Sequence, residues 1–173
     1  MLIWLAAAIA ILAGAGVLLV NRLIAARNRA RAAWGDVDAE LRRRADLVPE
    51  LNAAVQAYAA HERTALEAAT SARLEARGDD PVTRAAAEQR LGSAIGGVVG
   101  IAEANPELRA SERFAQLSDA LSQSEDRIAR SRLVYNDTVQ TYNTAIQALP
   151  ASLVAGALGF RRREPFELGE ARR

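Results

Sequence analysis

Apolar residues fill the first twenty positions of the chain and afterwards fall into stripes. Met1 to Val20 carries no charge and consists mostly of Leu, Ile, Ala and Val. Twenty residues at ~1.5 Å each span about 30 Å, the thickness of a bilayer's hydrocarbon core. From Trp34 on, the spacing is that of a packed helix. Trp34, Leu41, Val48 and Val55 stand seven apart, and so do Val37, Arg44, Leu51 and Tyr58. Near the other end, Phe114, Leu121, Ile128, Tyr135, Tyr142 and Leu149 share one heptad position, while Leu117, Ser124, Ser131, Thr138 and Ala145 fill the alternate one. Large residues repeated at one heptad position predict a long helix packed at coiled-coil-like angles, and the small residues between them admit a partner helix closely. Both tyrosines are read as core, with hydroxyls that must still find a polar partner. Between these segments, Leu91, Ile95, Val98 and Ala102 form a stripe beside Gly92, Gly96 and Gly100 at four-residue spacing. The glycine row is expected to form a flat ridge against a neighbouring helix, at a cost of about 1 kcal/mol per glycine relative to Ala.

Prolines punctuate the pattern. Gly78-Asp79-Asp80-Pro81 reads as a helix stop followed by a cap and a first helical position, and Asn105-Pro106-Glu107 repeats the cap-Pro-acid order. Pro150 ends the next stretch, because the residue before proline avoids the helical region. Pro49 leaves the heptad phase undisturbed, so the reading is one helix kinked there, with a true break as the alternative. The predicted fold is all-α. A transmembrane anchor over 1–21 continues into a long antiparallel three- to four-helix bundle over 22–150. Its helices are expected at about 22–77, 81–104 and 106–149, ahead of an apolar and basic tail over 151–173. Helices this unequal do not pair end to end, so self-association or docking of another protein along the last one is expected.

Charge then sets the expected orientation. Arg22, Arg27, Arg29 and Arg31 follow the apolar run, no acid precedes Asp36, and only the α-amino group lies ahead. The positive-inside rule puts the N-terminus outside and the bundle in the cytoplasm, with those four arginines at lipid headgroups. A cleaved signal peptide is the rival reading, supported by Ala13-Gly14-Ala15, but such a peptide places its charge before the apolar core.

Composition narrows the chemistry. All 22 basic residues are Arg, against 21 acids, for a net charge of +1. That balance argues against a dedicated nucleic-acid binder. The absence of Cys removes disulfides and thiolate sites. A single His, His61, in no Glu-x-x-His pair, suits neither a di-iron bundle nor a zinc site. It is read as a surface or cap-like helical residue. No triad, P-loop or dinucleotide loop is present. No catalytic residue, metal, cofactor or small-molecule substrate is therefore expected.

Two polar or mixed groups remain. Asp36, Asp38, Arg44, Glu125, Arg127, Asn136, Asp137 and Asn143 fall on or near the helical seams. Charges near a core are costly unless paired, so they are read as an interhelical polar layer, with Arg44 or Arg127 bonded to Asp36, Asp38 or Asp137. The tail carries Leu153, Val154, Leu158, Phe160 and Phe166 around Arg161-Arg162-Arg163. Capping of the bundle is the favoured reading; docking of a partner and contact with a membrane are the others.

An ordered set of stretches carries a resemblance. Arg27-Asn28-Arg29 to Trp34, Asp36-Val37-Asp38, and the run from Leu41 to Leu51 are followed by Tyr58 to Arg63, Asn105 to Leu108, Glu125 to Ala129, Tyr135-Asn136-Asp137, Tyr142-Asn143-Thr144 and Leu153 to Phe160. Together they resemble the LemA family of bacterial membrane-anchored helical proteins over nearly the whole chain. Gly35 and the stretch from Gly78 to Ala87 depart from the pattern. The resemblance implies a helical bundle on an N-out anchor in the bacterial cytoplasmic membrane, and it supplies no enzymatic mechanism. The expected role is a scaffold or adaptor whose partners are membrane lipid and a protein or second copy. The alternatives are an accessory factor or enzyme in membrane-protein or envelope processing, and a structural homo-oligomer.

Overall fold

The computed structural model describes residues 1–58, 62–77 and 81–168. Among these the chain is helical, without strands: α1 (Leu2–Gln56), α2 (Arg63–Glu75), α3 (Pro81–Ala104), α4 (Pro106–Arg109), α5 (Glu112–Gln147) and α6 (Ser152–Ala155). One helix, α1, is long and apolar enough to cross a membrane. Its most apolar window has a mean hydropathy of 2.6, and none of that window is buried.

The first long helix differs from the expectation. It passes through Pro49 and ends at Gln56, and α2 begins at Arg63 instead of continuing to residue 77. The expected caps at Gly78, Asp79 and Asp80 lie outside the described residues. α2 runs back along α1. Asn52 donates from Nδ2 to the Leu66 carbonyl at 3.0 Å and to the Thr70 hydroxyl at 3.1 Å, while Arg73 Nε donates to the Ala45 carbonyl at 2.8 Å. No glycine or proline marks the reversal, so local propensity does not cause it. Burial of Leu66, Ala69 and Ala72 does: apolar area removed from water yields about 25 cal/mol per Å2, which outweighs a weak helical preference. With the reversal in place, α1 beyond Val20 and α5 are both 36 residues long, while α2 and α3 have 13 and 24 residues.

The last segment splits in two. Asn105 accepts from the Glu107 and Leu108 amides at 3.1 and 3.3 Å, capping α4 with Pro106 in its first turn. Ser111, whose carbonyl accepts from the Ala115 amide at 3.1 Å, then starts α5. Phe114, Leu121, Ile128, Tyr135 and Tyr142 are all buried. Leu149 is 76% exposed, because α5 stops at Gln147. Ser124, Ser131 and Thr138 donate their hydroxyls to the carbonyls of Leu121, Ile128 and Tyr135, three residues earlier, and so bring no unpaired polar atom to the seam.

Contacts divide the chain into two units. The first joins Met1–Gly35 with Val134–Pro165. Its core is Leu23, Ala26, Tyr142, Ile146, Ala151, Ala155 and Phe160, and Trp34 stacks at a tilt on Tyr135 with ring centroids 5.3 Å apart. The second joins Asp36–Leu133 with the chain from Phe166 on. There Val48, Leu51 and Val55 of α1 meet Leu66 and Ala69 of α2, Leu91, Ile95 and Val98 of α3, and Phe114 and Leu121 of α5. Within this unit the glycine row departs from expectation. A Cβ built on Gly92 would meet Arg44 Nη1 of α1 at 4.0 Å, whereas one built on Gly96 or Gly100 would meet nothing within 4 Å, so the row touches a neighbouring helix only at its first member and is open beyond it. The adjoining face, Leu91 to Ala102, is the one that packs.

Candidate functional site

Two polar constellations stand out, one in each unit. In the second unit, the buried stripe of α1 reads Val37, Leu41, Arg44, Val48, Leu51, Val55, and that of α3 reads Arg84, Glu88, Leu91, Ile95, Val98, Ala102. Each stripe thus carries charge at a core position. Arg44, Arg84 and Glu88 are 6%, 1% and 1% exposed. The Glu88 carboxylate divides itself between two guanidiniums. Oε2 accepts from Arg44 Nη2, and Oε1 accepts from Arg84 Nε at 2.9 Å. Arg44 Nη2 also reaches the Glu88 carbonyl at 3.3 Å. Asp38 pairs with Arg84 at 3.5 Å and with Arg42 at 2.6 Å. The buried Arg44, Arg84 and Glu88 with the neighbouring Asp38 sum to zero charge, the condition under which ions tolerate a core.

In the first unit, side chains of α5 hold the chain after α6. The Tyr135 hydroxyl donates to the Glu164 carbonyl at 3.0 Å and the Tyr142 hydroxyl to the Arg161 carbonyl at 2.9 Å. Asn143 donates from Nδ2 to the Arg163 carbonyl at 2.8 Å and accepts the Arg163 amide at 3.0 Å. Both tyrosines thereby find the partners that buried hydroxyls require. The Arg27 guanidinium lies over the Phe160 ring, 5.1 Å from its centroid, a cation–π contact.

The remaining residues singled out from the sequence scatter. Arg44 bonds Glu88, a residue outside the expected set. Asp36, Glu125 and Asp137 are exposed. Arg127, half-buried, reaches Gln123 one turn earlier at 3.4 Å. Asn136 is half-buried on α5. Arg22, Arg29 and Arg31 are exposed, whereas Arg27 is drawn onto Phe160. Of the tail residues, Leu153, Val154 and Leu158 are exposed, but Phe160 and Phe166 are buried. Aromatic rings carry much apolar area, so a core within reach takes them up. His61 lies outside the described residues.

Arg84 and Glu88 escaped the sequence reading. The signal was present: the 4-3-4-3 stripe of α3, extended toward its N-terminus, lands on both. Charge at those positions made the stripe look finished at Leu91. Among the described residues, no group of three or more His, Asp or Glu side chains converges to hold a metal ion.

Comparison with known proteins places this architecture. The chain is 32% identical over 81 residues to magnetosome protein MamQ 2 of Paramagnetospirillum magneticum, covering 47% of this chain and 30% of that one. It is 34% identical over 80 residues to magnetosome protein MamQ of Magnetospirillum gryphiswaldense, covering 46% and 29%. The match therefore spans less than a third of either relative. The family model of the LemA family matches residues 33–173, from Trp34's turn of α1 through the buried charges, the α5 seam and the clasped tail. On that match, over well more than half its length, the chain belongs to the LemA family.

Proposed function

We propose that this protein is a membrane-anchored helical scaffold or adaptor. Its apolar N-terminal run is held in the bacterial cytoplasmic membrane with the N-terminus outside, and its helical body lies in the cytoplasm. The observation that carries the reading is the continuity of α1: one helix includes both the unburied apolar run and the core residues Leu41, Val48 and Val55. The charge distribution supports a binding role over a chemical one. The buried ions are occupied with each other, and the α5 hydroxyls are used in holding the chain together.

Two measurements test the reading. A membrane-impermeant protease added to intact cells should leave the body undigested; digestion from outside overturns the orientation. A photo-crosslinker at Leu133, which is 67% exposed on α5, should give a discrete adduct in native membranes. A ladder of unrelated adducts, or none at this and other exposed α5 positions, overturns the scaffold. An adduct of two copies of the chain replaces the adaptor with a homo-oligomer.

A further inference from the structure

The chain between α5 and the arginine triplet has two apolar faces. Ala151, Ala155 and Phe160 are buried in the first unit, while Leu149, Leu153, Val154 and Leu158 are 76%, 77%, 39% and 47% exposed. The second face is not loosely placed. Leu153, Val154 and Leu158 line an open groove of about 1010 Å3 whose opposite wall is Leu12, Gly16 and Leu19 of α1. That wall belongs to the uncharged run itself. Where the run lies in hydrocarbon, so does the groove, and whatever fills it is at acyl-chain depth.

The backbone is prepared for such a place. A segment entering a bilayer must satisfy its polar groups internally. Ser152, Leu153, Val154, Ala155, Leu158, Gly159 and Phe160 all donate their amides to carbonyls of residues 148–156. Gly159, at φ 74°, closes the turn, with its own amide on Gly156 and the Phe160 amide on Ala155. That pairing ends the turn with the Ala155 and Gly156 carbonyls satisfied, and the positive φ is why a glycine stands there. Beyond it, Arg161 and Arg162 are exposed, as is Arg22 at the rim of the groove. Guanidiniums beside an apolar wedge match the level at which phosphates lie outside acyl chains.

We propose that residues 149–158 form a non-spanning wedge that enters the same face of the bilayer as the C-terminal end of the apolar run, about 5–10 Å deep. Phospholipid acyl chains occupy the groove, and Arg22, Arg161 and Arg162 contact the phosphates. The proposal rests on the anchored reading of α1 and adds a second point of membrane attachment. Two attachments fix the tilt of α1 at the surface, which one helix crossing alone does not.

The chain has no cysteine, so single-cysteine variants of the full-length protein take an environment-sensitive fluorophore at one site each. Leu153→Cys and Leu158→Cys report the wedge, Ile9→Cys the anchor, and Gln116→Cys, on the exposed face of α5, the solvent. All four positions are exposed, so labelling should leave the helical content unchanged. Each variant is reconstituted in phosphatidylcholine–phosphatidylglycerol vesicles carrying spin-labelled lipid. The wedge requires Leu153→Cys and Leu158→Cys to be quenched severalfold more than Gln116→Cys, best by labels near the headgroup. Ile9→Cys should respond best to deep labels. Quenching at Ile9→Cys with the Leu153 and Leu158 probes matching Gln116→Cys overturns the wedge and leaves the anchor standing. Failure at Ile9→Cys overturns the anchor, and the wedge with it. A Leu153→Cys probe that is shielded but unquenched, and that forms a disulfide-linked dimer, assigns the groove to a second copy and also overturns the proposal.

Discussion

Arg73 supplies a hydrogen bond that Pro49 withholds. In an unbroken α-helix the residue-49 amide would donate to the Ala45 carbonyl; proline has no such amide. Arg73 Nε, arriving from α2, donates to that carbonyl at 2.8 Å, and Arg73 Nη2 pairs with Asp46 at 3.2 Å. α1 thus crosses its proline with the orphaned acceptor satisfied, and α2 is registered against α1 by the same contact. The two residues should be coupled. Arg73→Ala should destabilise the body by about 1–3 kcal/mol, the cost of an unsatisfied buried acceptor. Pro49→Ala should restore the intrahelical bond, and in that background Arg73→Ala should cost markedly less. Urea denaturation of the four proteins of the cycle reads this directly, and additive losses would remove the coupling.

The Arg44–Glu88–Arg84 cluster behaves as a unit because each ion is desolvated and depends on the others. Glu88→Ala leaves two buried guanidiniums without their shared carboxylate and should cost about 3–5 kcal/mol. Arg44→Met with Glu88→Met removes a pair together and should cost less than the sum of the single changes. Equal sums would mean the ions act independently.

The clasp on the tail is a matter of a few side chains. Asn143→Ala removes both bonds to Arg163, and Tyr142→Phe removes the one to Arg161 while keeping the ring. Either change should raise the rate of tryptic cleavage at Arg161 to Arg163 severalfold, with α5 left helical. Unchanged cleavage would show that the buried Phe160 alone holds this segment.

Removal of residues 151–173 takes away Ala151, Ala155, Phe160 and Phe166, all buried. The melting temperature should fall by several degrees, as losses of a few kcal/mol do in a domain of this size. An unchanged melt would mean that the tail covers nothing the rest of the chain needs covered.

The glycine row supplies a prediction of opposite sign. Gly96 and Gly100 lie inside α3, and a Cβ there meets nothing within 4 Å. Gly96→Ala and Gly100→Ala should each stabilise α3 by about 0.8–1 kcal/mol, visible as slower amide exchange across Pro81–Ala104. Destabilisation would mean that something packs on that surface in the membrane-bound protein.

Much of the architecture can be read from residue spacing alone. The uncharged apolar run, the all-helical class, the limits of α3, the Asn105 cap and the α5 seam from Phe114 to Tyr142 all follow from local rules: a period, a cap or a proline, each acting over a few residues. The reversal between Gln56 and Arg63 did not show, because α2 needs an apolar stripe at the same spacing whether it continues α1 or folds back beside it. Nor did the partners of the buried ions. Arg44 announced itself as a charge on a seam, but Glu88 lies 44 residues away, and among the exposed Asp36, Glu125 and Asp137 nothing local distinguishes a core acid from a solvated one. Folding made that choice, since the free energy of a buried charge depends on what other parts of the chain place within about 3 Å of it, and sequence order carries no such distances.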